Sequence, residues 1–154
     1  MYELANVIVE AKKTLEEDSA TDVRFTHNYE IFKRFVNVAE SSPTDEEFHR
    51  RILTDFDLFC VAYVRLDNRK PMYPAPWQSE AAAIFESREV NLFIEPRKIG
   101  KSAVLSAYIL WKMCKEQATR AVIFAPTQAQ LFIMDDIWKC LKRCDYLMDK
   151  YVQP

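Results

Sequence analysis

The sequence predicts an α/β fold: an α-helical N-terminal region over residues 1–70, then the front part of a parallel sheet over residues 71–154. Three observations carry this. Apolar residues recur at three- and four-residue spacing through the first 63 positions, which is the helical period. Two short apolar runs, Val90–Ile94 and Ala121–Ala125, flank a helical segment as buried parallel strands flank a crossover. Between the first run and that segment stands the only glycine of 154 residues, Gly100, followed by Lys101 and Ser102.

The elements follow in order. Residues 2–17 form a helix with Leu4, Val7, Ile8, Ala11 and Leu15 on one face. Ser19–Asn28 is a polar connection. Tyr29–Glu40 is a second helix with Ile31, Phe32, Phe35, Val36 and Ala39 apolar, ended by Ser41-Ser42-Pro43. Thr44 followed by Glu47 is a capping box that starts a third helix. Its stripe of Phe48, Ile52, Phe56, Phe59, Cys60 and Tyr63 reads as core, with a docking face for a partner as the alternative. Asn68–Pro76 holds three prolines and marks the boundary between the two regions.

Trp77–Ser87 returns to helix, and Val90–Ile94 is the first strand. Ala103–Lys115 is the helix behind the loop, with Val104, Ala107, Tyr108, Trp111 and Met113 covering the sheet. Ala121–Ala125 is the second strand, turned by Pro126-Thr127-Gln128. The last run, Gln128–Arg143, contains Leu-Phe-Ile-Met before Asp135 and Asp136, the spelling of a Walker B strand. Leu131, Met134, Ile137, Trp138 and Leu141 recur at helical spacing instead, so the two acids read as the solvated side of a helix.

Composition sets limits. Apolar residues make up 49% of the chain, enough for one packed core. The net charge of −2 is unevenly spread: residues 1–94 carry 11 basic and 17 acidic residues, residues 95–154 carry 10 basic and 6 acidic. The basic half contains the glycine, which suits nucleotide and allows a DNA-facing role. Glu3 and Glu10 interrupt the N-terminus, so no signal peptide is expected. No apolar run approaches the ~20 residues of a membrane span. Cys60, Cys114, Cys140 and Cys144 sit in apolar helical contexts and read as reduced core thiols. Cys140 and Cys144, one turn apart, could share a metal, but no histidine or further cysteine lies near. His27 and His49 read as surface or helix-packing residues.

The chemistry concentrates at Asn91–Ser102, NLFIEPRKIGKS. Strand, tight turn, Gly-Lys-Ser and helix is the context of a phosphate-binding loop. Backbone N–H groups at a helix N-terminus favour anions. Gly100 lets the main chain approach phosphates without a Cβ. Lys98, Ile99, Gly100, Lys101 and Ser102 would cradle the phosphates of ATP, with Lys101 as a point charge and the Ser102 hydroxyl on Mg²⁺. The fold so predicted is the front of a P-loop NTPase sheet of the RecA/ASCE-like kind. The general motif has glycine at the position occupied here by Glu95.

Arg97, three residues before Gly100, makes the loop R-x-x-G-K-S, which resembles the variant Walker A of large terminase subunits, the DNA-packaging motors of tailed phages and related viruses. Ala125-Pro126-Thr127-Gln128 resembles the end of their next strand. Pro76-Trp77-Gln78 resembles the context of their adenine-binding glutamine. The three matches cover roughly residues 74–130.

The resemblance implies that Gln78 pairs with adenine, the alternative being an ordinary exposed helix residue. It implies that Arg97 acts as an arginine finger in cis beside Lys101, the alternative being a surface arginine next to Lys98. Thr127 and Gln128 become candidates for DNA contact or coupling, with a helix N-cap as the alternative. ATP and Mg²⁺ are the implied cofactors. Double-stranded DNA, the portal, the small terminase subunit and the remaining part of the motor and nuclease polypeptide are the implied partners. The setting implied is an oligomeric motor in the host cytoplasm, with no membrane.

The chain reaches Pro154 before a convincing Walker B strand, so a fragment, a split-gene product or a remnant is expected, and hydrolysis by this chain alone is not. Two strands alone cannot form a protected sheet, so exposed apolar edges filled by another polypeptide or by self-association are expected. Two other readings stay open: a helicase-like P-loop ATPase fragment, and a non-enzymatic helical interaction module.

Overall fold

Eight helices and no strand make up the regular structure among the described residues. The computed structural model describes residues 4–17, 22–87, 100–116, 119–124 and 132–152. Helix α1, Leu4–Glu17, buries Val7, Ala11, Thr14 and Leu15 along one stripe, as its periodicity requires. Helix α2, Asp22–Glu40, is longer than the sequence suggested, since most of the expected polar connection Ser19–Asn28 is helical. Its core-facing stripe begins earlier than Tyr29: Asn28 is buried and Phe25 packs against the core, about one and two turns before Ile31 respectively.

The expected third helix is two. Helix α3, Asp45–Ile52, starts at the expected Thr44, whose Oγ1 accepts from the Glu47 N–H at 3.2 Å, while the Glu47 carboxylate pairs with Arg50 and does not complete the box. It stops at Leu53, and α4, Phe56–Tyr63, begins at Asp55. Asp55 Oδ1 accepts from the N–H groups of Asp57 (3.0 Å) and Leu58 (3.2 Å), an N-cap that competes with helix continuation. Trp111 Nε1 donates to the Leu53 carbonyl, freed by the break, at 3.0 Å. The stripe Phe48, Ile52, Phe56, Phe59, Cys60 and Tyr63 is buried throughout.

After α4 the chain turns through a short hairpin. An isolated antiparallel bridge joins Arg65 to Pro71, and Arg69 sits at the tip with φ 63°. Tyr73 then donates its hydroxyl to the Ala11 carbonyl at 2.9 Å, and His27 Nε2 donates to the Pro74 carbonyl at 3.1 Å. These bonds fasten the proline-rich stretch to α1 and α2. Helices α5 (Pro76–Ser87), α6 (Lys101–Lys115), α7 (Phe132–Lys142) and α8 (Asp145–Tyr151) complete the described chain. One buried cluster runs from Val7 through α4 to Leu147, so a single core spans both sides of Asn68–Pro76.

The predicted α/β fold with a parallel P-loop sheet is therefore overturned by an all-helical structure among the described residues. Ala121–Phe124, the described part of the expected second strand, has no regular structure, and Val122 and Phe124 are 72% and 92% exposed. The expected first strand, Val90–Ile94, lies outside the described residues. A strand needs a ladder partner to satisfy its backbone. The face of α6 assigned to covering a sheet instead packs on helices: Val104, Ala107, Leu110, Trp111 and Cys114 join the core beside α4. Met113, expected on that face, is 41% exposed.

Cys60, Cys114 and Cys144 are buried and Cys140 half-buried, all as free thiols. Burial pushes the Cys114 thiol up to about 12, which makes it a poor nucleophile. Among the described residues, no helix is long and apolar enough to cross a membrane.

Candidate functional site

The start of α5 and the start of α6 meet at the Gln78 side chain. Ala75-Pro76-Trp77-Gln78 places proline at the first helical position, where its missing N–H is no loss. Gln78 then sits one turn in, and its Oε1 accepts from the Ala75 N–H at 2.8 Å. This is the return half of a capping box, a glutamine reaching back to the residue before the helix. The Gln78 N–H donates to the Ala75 carbonyl at 2.8 Å, closing the turn. The other end of the amide reaches across 22 residues: Nε2 donates to the Gly100 carbonyl at 3.3 Å.

Gly100 is the N-cap of α6, with φ 95° and ψ 24°. An L side chain is disfavoured there, and a Cβ at this position would lie 3.0 Å from Gln78 Nε2. The lone glycine thus meets a conformational and a steric requirement together. Its carbonyl also accepts from the Val104 N–H at 3.1 Å, the first bond of the α6 ladder. Lys101 and Ser102 follow as half-buried residues of the first turn. No acidic residue stands in the first turn of this fifteen-residue helix, whose N-terminus carries the positive end of the helix dipole.

A second set of contacts locks α5 onto its neighbours. Ser79 donates to Asp57 Oδ1 at 2.6 Å, and Arg34 bridges Asp55 (2.5 Å) and Asp57 (2.9 Å) from α2. At the far end of α5, Glu86 accepts from Tyr108 (2.9 Å), Lys112 (2.8 Å) and Lys115 (2.9 Å) of α6. Burial raises the Glu86 pKa, but those three donors outweigh it and hold the carboxyl at about 2. The relative placement of the two helix starts is therefore fixed at both ends of α5.

Of the residues read as a site in the sequence, the structure brings together Gln78, Gly100, Lys101 and Ser102. Arg97, Lys98, Ile99, Thr127 and Gln128 lie outside the described residues. Asp135 is exposed on α7, and Asp136 of the same helix is half-buried against a cleft facing α6. The role of Gln78 differs from an exposed helix residue, since it is only 7% exposed. Its amide makes two protein bonds, so pairing with a base requires an exchange of partners.

Sequence reasoning missed a second buried polar cluster. His49 of α3 is 3% exposed. Its Nδ1 lies 3.0 Å from the Tyr63 hydroxyl of α4, and its Nε2 lies 2.6 Å from the Tyr151 hydroxyl of α8. Tyr151 donates to the Cys114 carbonyl of α6 at 3.4 Å, so its lone pair accepts from Nε2–H, and Nδ1 accepts from Tyr63. Burial, with Lys150 nearby, pushes the His49 pKa down to about 4. The only sequence signal was His49 on the apolar side of a capped helix; Tyr151 is 102 residues away.

The chain matches no protein-family model, no curated protein and no solved structure.

Proposed function

We propose that Gly100, Lys101 and Ser102, steadied by Gln78, bind the phosphates of ATP with Mg²⁺, and that the chain is the N-terminal ATP-binding part of a large terminase subunit. The observation that supports this reading is the 3.3 Å contact between Gln78 and Gly100. Two separate parts of the resemblance, 22 residues apart, adjoin at one helix N-terminus. The residues fit the group: the first turn of α6 is free of acids, its N-cap is a left-handed glycine, and Lys101 and Ser102 directly follow. Lys101 would meet phosphate charge and the Ser102 hydroxyl would meet Mg²⁺. Arg97 and Lys98 would add charge from the preceding segment. The reading rests on the helix start and uses no sheet.

Bound Mg²⁺·ATP would supply a phosphoryl group for transfer to water. The residues of this chain would orient it: Gly100 by close approach, Lys101 by charge. On this reading the partners are double-stranded DNA, the portal, the small terminase subunit and the remaining motor and nuclease polypeptide, in an oligomer in the host cytoplasm. Thr127 and Gln128 would serve DNA contact or coupling.

A non-enzymatic helical interaction module is the second reading. It is favoured by the helical architecture and by exposed apolar side chains such as Phe124 and Trp138. Titration calorimetry of the chain with Mg²⁺·ATP separates the two. The first reading expects micromolar binding, weakened at least tenfold, about 1.4 kcal/mol, in Lys101→Ala. Equal heats for the parent and Lys101→Ala would contradict it.

A further inference from the structure

We infer that Gln78 positions the start of α6 and reads no base, so that the phosphate site proposed above, on which this inference rests, takes nucleoside triphosphates as a class rather than ATP alone. Reading adenine takes both ends of a glutamine amide: Oε1 accepts from N6–H, and Nε2 donates to N7. Both ends of this amide are engaged within the protein. Oε1 accepts from the Ala75 N–H at 2.8 Å, and Nε2 donates to the Gly100 carbonyl at 3.3 Å. Gln78 is 7% exposed, so the second N–H and the second lone pair of the amide have little surface to offer a base. The amide nitrogen also lies close against the glycine, 3.0 Å from the position a Cβ would take. Releasing the amide exchanges two bonds for two, and it leaves the N–H of half-buried Ala75 without its reciprocal cap. An exchange with no surplus gives adenine no advantage over another base.

What the amide holds is the direction of a peptide. The Gly100 carbonyl accepts from Gln78 Nε2 at 3.3 Å and from the Val104 N–H at 3.1 Å. The Gly100–Lys101 peptide is planar, so the Lys101 N–H points opposite to that carbonyl, out of the helix start. It is one of the first N–H groups of α6, which have no acceptor within the helix. Gln78 thereby aims a backbone donor at the place where a phosphate would sit. A backbone donor, a left-handed glycine and the charge of Lys101 carry no information about the base. Recognition at this junction therefore falls on the phosphate chain, and Gln78 is a positioning residue.

The test is titration calorimetry of the whole chain with ATP, GTP and inorganic tripolyphosphate, each with Mg²⁺, for the parent and Gln78→Met. In the parent, the dissociation constants for ATP and GTP should agree within about threefold, and tripolyphosphate should displace ATP. Gln78→Met keeps the length of the side chain and loses both hydrogen bonds. It should weaken ATP and GTP by the same factor, about fivefold or more, leaving their ratio unchanged. The single ¹⁵N-glycine signal, from Gly100, should move in that variant before any nucleotide is added. The ATP-to-GTP ratio of the parent needs no variant, so it decides the matter even where Gln78→Met fails to fold. A preference for ATP over GTP of about tenfold or more in the parent overturns the inference and leaves the phosphate site standing. An unmoved Gly100 signal in folded Gln78→Met also overturns it, because the amide then positions nothing. A parent that binds none of the three overturns the inference together with the site itself.

Discussion

Gly100 shows how far a single residue can be read. Its rarity and the Lys-Ser that follows marked it in the sequence, and its φ of 95° shows what the glycine is for. Gly100→Ala should destabilise the protein by about 1–2 kcal/mol through left-handed strain, with a further cost from the 3.0 Å approach to Gln78. Urea unfolding measures this; an unchanged midpoint would mean that the α6 start relaxes freely. His49 was less legible, because its tyrosine partners come from α4 and α8. Its pKa falls from 6.5 unfolded to about 4 folded, so the unfolded state binds the extra proton between those values. Stability is therefore full above pH 6.5 and is lost as pH falls toward 4. Between pH 7 and pH 5 the loss should be roughly 2 kcal/mol. His49→Phe should flatten that segment of the pH profile, measured by urea midpoints at the two pH values. A slope as steep as the parent's would assign it to other groups.

The helices were legible where the apolar spacing was long, as in α1 and α6. They were misread where a short side chain decided the matter. The spacing Phe48, Ile52, Phe56, Phe59 runs on without interruption, yet Asp55 ends one helix and caps the next. Periodicity cannot register such a break, because both helices present their stripe to one core. Asp55 also holds Arg34 of α2, so Asp55→Ala removes a cap and an ion-pair partner together. The expected loss is about 1–2 kcal/mol in thermal or urea unfolding, mostly from the cap. A loss under ~0.3 kcal/mol would show that the break is fixed by Trp111 and the Leu53 carbonyl instead. Ala121–Ala125 is the opposite failure: five apolar residues in a row read as a buried strand, but their partners were assumed, and the described four, Ala121–Phe124, have no regular structure. A run that short carries no information about what lies beside it.

For the whole molecule, the sequence overestimated the sheet and underestimated the helical core. The residues assigned to covering strands serve equally well to cover other helices, since a buried helix face is apolar in either case. The Gln78–Gly100 contact survives that correction because it depends only on two helix starts. The account's central claim is that this junction receives the phosphates of a nucleotide. Gly100 is the only glycine, so ¹⁵N-glycine labelling gives one amide signal from the heart of the candidate site. The measurement is that signal followed during a Mg²⁺·ATP titration of the parent and Lys101→Ala. The account predicts a large, saturable shift in the parent and a shift requiring at least tenfold more nucleotide in the variant. A signal that stays put in the parent up to millimolar nucleotide, or that moves identically in both proteins, would contradict it.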